Sequence, residues 1–311
     1  VGVFVFLPLV LPLTAVPIAR LAGQHLHPRA AARLLTAVGA LLGLCSTLCL
    51  GLLMVVGTAQ LPGNPLPDGW SDPEVREAVP YEEYFGEVSI VALVAVLAGW
   101  AVTLFRHCSA RVRAHRALAG LPGGELAVLP DDVPYAYALP GRCDTGRIVV
   151  STALLEQLES EERRVVLAHE RAHLRRAHHR LLLLGQLAAR ANPLLRPLRD
   201  EIAYYAERWA DEEAAGEVGS RRVVARAVAR AALVSGGASV PGLAQLAAPG
   251  PVPRRVAALL APSPPVRSWP PAGTAAGVAA WMAAAGSVAS ALSAVFAATA
   301  LTMILHAATA L

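Results

Sequence analysis

Apolar and polar positions divide this chain into apolar ends and a charged middle. Val1 to Ala19 carries no charge, Leu34 to Ala59 is a second uncharged run, and Val88 to Phe105 is a third. From Ser268 to Leu311 there is no Asp, Glu, Lys or Arg. A membrane-crossing helix needs about 20 mostly apolar residues. The pattern therefore predicts four spans, at about 1–19, 34–59, 88–105 and 275–305, with Pro8, Pro12 and Pro17 kinking the first. That first run lacks the basic flank and small-residue cleavage site of a signal peptide, so it reads as a span.

The middle, 106–270, reads as a mixed helix and strand domain lying between the third and fourth spans. Leu126–Leu129 and Arg147–Val150 are short β-prone runs, with Pro130, Pro134, Pro140, Gly141 and Gly146 punctuating the stretch around them. Ser160 is the expected N-cap of a helix, with Glu161 and Glu162 in its first turn complementing the dipole. Val165, Val166, Ala168, Ala172 and Leu181 give that helix an apolar side. It is expected to run as far as Arg190, where Asn192–Pro193 ends it. Further helices are expected at about 198–215 and 220–233, and the Gly- and Pro-rich tract 236–272 reads as a loose connector to the last span.

Composition agrees with a membrane protein. Hydrophobic residues make up 55% of the 311 positions and charged residues 16%, against about a quarter in soluble domains. The mean hydropathy is +0.48. The net charge is +4 with arginine as the positive residue, and no basic stripe with aromatic support accompanies it, so direct nucleic-acid binding is not expected. Cys45 and Cys49 lie one turn apart in an apolar run and read as small packed hydrophobes; no CxxC pair with Cys108 or Cys143 suggests a cysteine metal site.

Charge also orients the spans. Arg20, Arg29 and Arg33 lie between the first and second. The 60–87 loop holds Asp68, Asp72, Glu74, Glu77, Glu82, Glu83 and Glu87 against a single Arg76, and Arg106, Arg111, Arg113 and Arg116 follow the third. Arginine marks the cytoplasmic side. The expectation is a multi-pass protein of the plasma or inner membrane, with the 60–87 loop and both termini outside and the 106–270 domain in the cytoplasm.

The candidate chemistry is His169-Glu170-Arg171-Ala172-His173. Two histidines four apart share a helix face and can bind one ion, and the glutamate beside the first can move a proton of an attacking water. Zinc favours neutral imidazole and polarises a carbonyl; a carboxylate serves as general base and acid. A catalytic zinc takes three protein ligands. Downstream, Glu207 and Asp211 are four apart on the next helix. That spacing suits Glu207 as third ligand and Asp211 as the group that orients a ligand imidazole. Glu201, Glu212 and Glu213 are further candidates for the third ligand, and Glu201 and the run Asp211 to Glu213 read equally as solvated surface acids.

These residues resemble the membrane gluzincin peptidases. The resemblance rests on His-Glu-Arg-Ala-His, Asn192-Pro193 and Glu207-Arg208-Trp209-Ala210-Asp211. Tyr137 to Pro140 and Gly146 to Ser151 upstream also match. Two families share the layout: the beta-lactam sensor and antirepressor peptidases, favoured by span count and domain placement, and the prenyl-protein (CAAX) and heat-shock membrane peptidases. The chain stops short of the penicillin-binding domain that sensor members carry. The resemblance implies a mostly α membrane protein with four transmembrane helices and a cytoplasmic α+β gluzincin domain. It implies one zinc per chain, held by His169, His173 and Glu207, with Glu170 as base and acid and Asp211 behind the ligands. It further implies an edge strand that holds the substrate, expected at Arg147, Ile148, Val149 and Val150, and an oxyanion stabiliser, for which Tyr204, Tyr205 and His178 are candidates. The implied partner is a protein or peptide substrate, a transcriptional repressor in the first family. Two other readings compete: a non-catalytic zinc-binding scaffold, and a transporter. Transport requires ionisable groups within the spans, and His306 is the one such candidate.

Overall fold

A computed structural model of the chain describes residues 2–14, 26–77, 82–141, 146–235, 252–264 and 273–309. After an N-terminal segment of short turns come two long helices, α1 (Pro28–Ala59) and α2 (Glu82–Ala117). Three strands follow, β1 (Leu126–Leu129), β2 (Ala136–Leu139) and β3 (Arg147–Ser151). The helices α3 (Thr152–Gln157), α4 (Ser160–Arg175), α5 (His178–Ala191), α6 (Arg196–Val218) and α7 (Arg221–Ser235) come next. The short α8 (Val252–Leu260) and the long α9 (Ala275–Thr309) complete the described elements.

Among the described residues three helices are long and apolar enough to cross a membrane: α1, α2 from Phe85 onward, and α9 from Gly277 onward. At 1.5 Å per residue each reaches about 50 Å, beyond the roughly 30 Å of hydrocarbon. Their ends therefore project, and the projecting end of α2 carries His107 and Arg111.

The first expected span is not a continuous helix in its described part. Gly2–Val5 and Leu11–Thr14 are 3-10 turns, and Leu7–Val10 is a single α turn. Proline is the cause: Pro12 has no N–H to offer the carbonyls of Pro8 and Leu9. Those carbonyls accept instead from Ser46 Oγ (2.8 Å) and Asn192 Nδ2 (2.9 Å), as buried backbone acceptors must be satisfied. Pro17 and residues 15–19 lie outside the described residues.

Asn192 marks the tip of a hairpin that enters the helix bundle. α5 descends from the site along α2, where Trp100 Nε1 donates to the Leu187 carbonyl at 2.9 Å. At the tip Asn192 also donates to Ser46 Oγ (3.1 Å), midway along α1. α6 then returns. Gly43 allows this close approach: a Cβ there would stand 3.1 Å from the Ala188 Cα. Small residues serve the same end where α1 crosses α2, since a Cβ on Gly86 would stand 2.7 Å from the Gly57 Cα. Gly57→Val should force these helices apart and lower the stability of the detergent-purified protein by about 1–3 kcal/mol. A thermal melt unchanged from wild type would refute that crossing.

Four expectations change in the domain. The helix from Ser160 stops at Arg175 instead of continuing to Arg190, because Ala177 takes the left-handed conformation (φ 52°, ψ 42°). Its N-cap is Glu159, in a reciprocal capping box with Glu162, and not Ser160. The tract 236–272 is not wholly a loose connector, since it contains α8. Finally, the sheet order is β1-β3-β2, with β1 parallel and β2 antiparallel to β3. Arg147–Val150 thus lies on the central strand, with both hydrogen-bonding edges filled. Among the described strands β1 and β2 are the two edges, and β2 is the one whose residues line the cavity described below.

Candidate metal centre

The capping box and two acids in the first turn start α4, and its helical period brings His169 and His173 onto one face. α6 packs against α4 and presents Glu207 to them. The two Nε2 atoms are 3.0 Å apart. The Glu207 carboxylate reaches His169 Nε2 at 3.4 Å and His173 Nε2 at 3.3 Å. Ligands about 2.0–2.2 Å from a tetrahedral zinc stand about 3.3–3.5 Å from one another. The three donor atoms lie within 4.8 Å of each other, so this set fits one such ion.

Behind the three stands a buried ionic layer. Asp211 Oδ1 is 3.2 Å from His169 Nδ1. Arg255, from α8, donates to both Asp211 oxygens (2.9 and 2.6 Å) and lies 2.9 Å from Glu207 Oε2. Burial opposes ionisation of Glu207, but Arg255 and the imidazoles outweigh it and hold the carboxyl well below its usual range. Asp211 is held down in the same way, against burial, by Arg255 and His169. Burial would lower His169, yet Asp211 and Glu207 push it up to about 10. The pocket thus attracts positive charge, as a cation site must.

A cavity of about 310 Å³ opens over this set. His169, Glu170, His173 and Glu207 line it, with Ala136, Tyr137 and Ala138 of β2 and the flanking Tyr135 and Pro140 on one wall. Leu182, Leu183 and Gln186 of α5 and His107 and Arg111 of the long helix α2 line it on another side. The start of α1 is near as well, with the Arg29 and Arg33 guanidinium groups 5.8 and 5.1 Å from the Trp209 ring of α6. The metal cluster therefore sits at the arginine-rich ends of α1 and α2.

This helix-borne His-Glu-x-x-His set, in a chain with membrane-length helices, agrees with the comparison to known proteins. Residues 105–191 match the model of peptidase family M48. A protease HtpX homologue from Polynucleobacter necessarius is 35% identical over 80 residues, covering 26% of this chain and 27% of that relative. The chain thus spans about a quarter of the length of that curated relative. No solved structure gives a significant match. The M48 match ends at Ala191, so it includes His169, Glu170 and His173 but not Glu207; the third donor rests on geometry.

Around this donor set the other expected residues fall in different places. Glu170 lines the cavity beside the ligand pair. Tyr204 lies under the Arg254 guanidinium, 3.8 Å from its ring centroid, and Tyr205 is buried in the core with Leu198 and Ile202. His178 is fully buried. None of these three is among the residues that line the cavity. Glu201 pairs with Arg254 at 2.9 Å and Glu213 with Arg176 at 2.9 Å, both away from the donors. Arg255 is the residue the sequence did not yield. Its signal was there: Val252, Val256 and Leu259 define an apolar helix face, and Arg255 sits on that face.

Proposed function

We propose that this chain is a membrane-embedded zinc endopeptidase that cleaves a protein substrate at the cytoplasmic face. The observation that carries it is the convergence of His169, His173 and Glu207, with Glu170 beside them in one cavity. The M48 match, a family of zinc-dependent proteases, and the protease HtpX homologue support the same reading.

Bound zinc supplies Lewis-acid chemistry to the carbonyl and the attacking water. Glu170 takes the proton of that water and returns it to the leaving amine. The free edge of β2 pairs with the substrate backbone by strand addition, which presents the scissile bond to Glu170. Arg255 fixes the Glu207 and Asp211 carboxylates. Arginine at the site ends of α1 and α2 supports a cytoplasmic site. The acidic 60–87 loop and the C-terminus then lie outside. The N-terminal segment crosses in the same sense as a broken fourth span. A repressor as substrate, which the sensor and antirepressor resemblance implies, is a narrower reading that the M48 match does not carry.

The full chain, purified in detergent, should hold about one zinc. Chelation should abolish its cleavage of unfolded casein, and added zinc should restore it. A chain that purifies without zinc, or that cleaves equally after complete metal removal, overturns the proposal.

A further inference from the structure

Each ligand imidazole has a second nitrogen, and the two are treated differently. His169 Nδ1 faces the Asp211 carboxylate, the usual partner for a metal-bound ring. His173 Nδ1 faces another imidazole, His178 Nδ1, at 2.9 Å. The fold makes a deliberate arrangement of this contact. On one continuous helix, positions five apart point about 140° away from each other. The left-handed turn at Ala177 breaks the helix between them and swings His178 back, so that the rings meet edge-to-face with centroids 4.8 Å apart. A non-glycine residue in that conformation costs about 1–2 kcal/mol. On its other side His178 rests against the Trp209 ring, 4.7 Å between centroids, in a fully buried slot.

We propose that His178 is the positioning residue for His173, a role that rests on the zinc site proposed above. Only one proton arrangement is compatible with a metal at His173 Nε2. His173 then carries its proton on Nδ1 and donates it, and His178 accepts with a bare Nδ1 and keeps its own proton on Nε2. The reverse arrangement, with His178 donating, leaves the His173 proton on Nε2 and blocks the ligand lone pair. His178 thus selects the tautomer and fixes the ring plane of one ligand, as Asp211 does for the other. It does so with a neutral acceptor, so it adds no negative charge to the ligand set.

The test compares two unbranched replacements of similar bulk in the full chain. His178→Gln keeps an oxygen acceptor, and His178→Met has only a weak one. Zinc affinity is read by competition with a chromophoric chelator, and the site geometry by the visible spectrum of the cobalt-substituted protein. His178→Met should bind zinc about 10–100-fold more weakly with an altered cobalt spectrum, while His178→Gln stays close to wild type in both. Equal affinities for the two variants, whether high or low, overturn the role. The wild type adds a readout that does not depend on either variant folding. In ¹⁵N-histidine spectra of the zinc-loaded chain, His178 should appear as the neutral Nε2–H tautomer, and an Nδ1–H form overturns the role. A wild type that binds no zinc is instead the failure of the zinc site itself.

Discussion

Glu170→Gln should lower the turnover of casein by about 10²–10⁴-fold, the range for losing a general acid and base, with zinc content unchanged. The amide keeps the size and polarity of the carboxylate but accepts no proton at neutral pH. Glu170 is not one of the three converging donors, so its replacement leaves the His169, His173 and Glu207 set intact. It lines the cavity, where the substrate would lie. The two readouts separate the competing readings. Full activity with zinc bound would show that another group moves the proton. A loss of activity accompanied by a loss of zinc would show instead that Glu170 holds the metal. Comparing the proteomes of cells that carry wild type and this variant should reveal the natural substrate, as a fragment made only by the active form.

The second large effect is expected at Arg255. Its side chain is 6% exposed and faces two carboxylates that are 11% and 0% exposed. Arg255→Met keeps much of the stem and removes the charge. Breaking a buried ion pair from one side typically costs about 3–5 kcal/mol, because the remaining charge loses its partner. Glu207 and Asp211 would then face each other across one turn of α6 without a cation. The expected loss in thermal stability is larger in metal-free protein than in zinc-loaded protein, since zinc supplies part of the missing charge. Equal melts for the variant and wild type in both states would show that the ionic layer is not structural. The sign with pH follows from the lowered carboxyls. Their contribution is complete above the ordinary carboxylate range and is lost as pH falls through the lower values of the folded state.

The features legible in the sequence are those with short range. His169 and His173 are four apart, and any α-helix through them puts both on one face. The same holds for Glu207 and Asp211. The apolar runs at 34–59, 88–105 and 275–305 became α1, α2 and α9, with α1 extended at its start, α2 at both ends and α9 at its end. The run at 1–19 looks similar by composition, yet its prolines broke the described part into short turns. In that segment the loss of local hydrogen bonds outweighs apolar length, and the replacement bonds come from Ser46 and Asn192, which lie far along the chain.

The sequence by itself determined a histidine pair with metal-ligand spacing, the neighbouring glutamate, a third-ligand candidate on a separate helix, and the apolar helices around them. Each follows from a local period or a hydropathy run. Only the tertiary structure decided that Glu207 closes the donor set, that Arg255 anchors it from α8, and that β2 rather than β3 offers a free edge. It also decided the place of His178. That residue is expected from sequence as an oxyanion candidate, but one left-handed alanine turns it behind His173 and away from the cavity. Such outcomes depend on which elements pack together and in what order strands pair, and residue spacing along one chain does not carry that information.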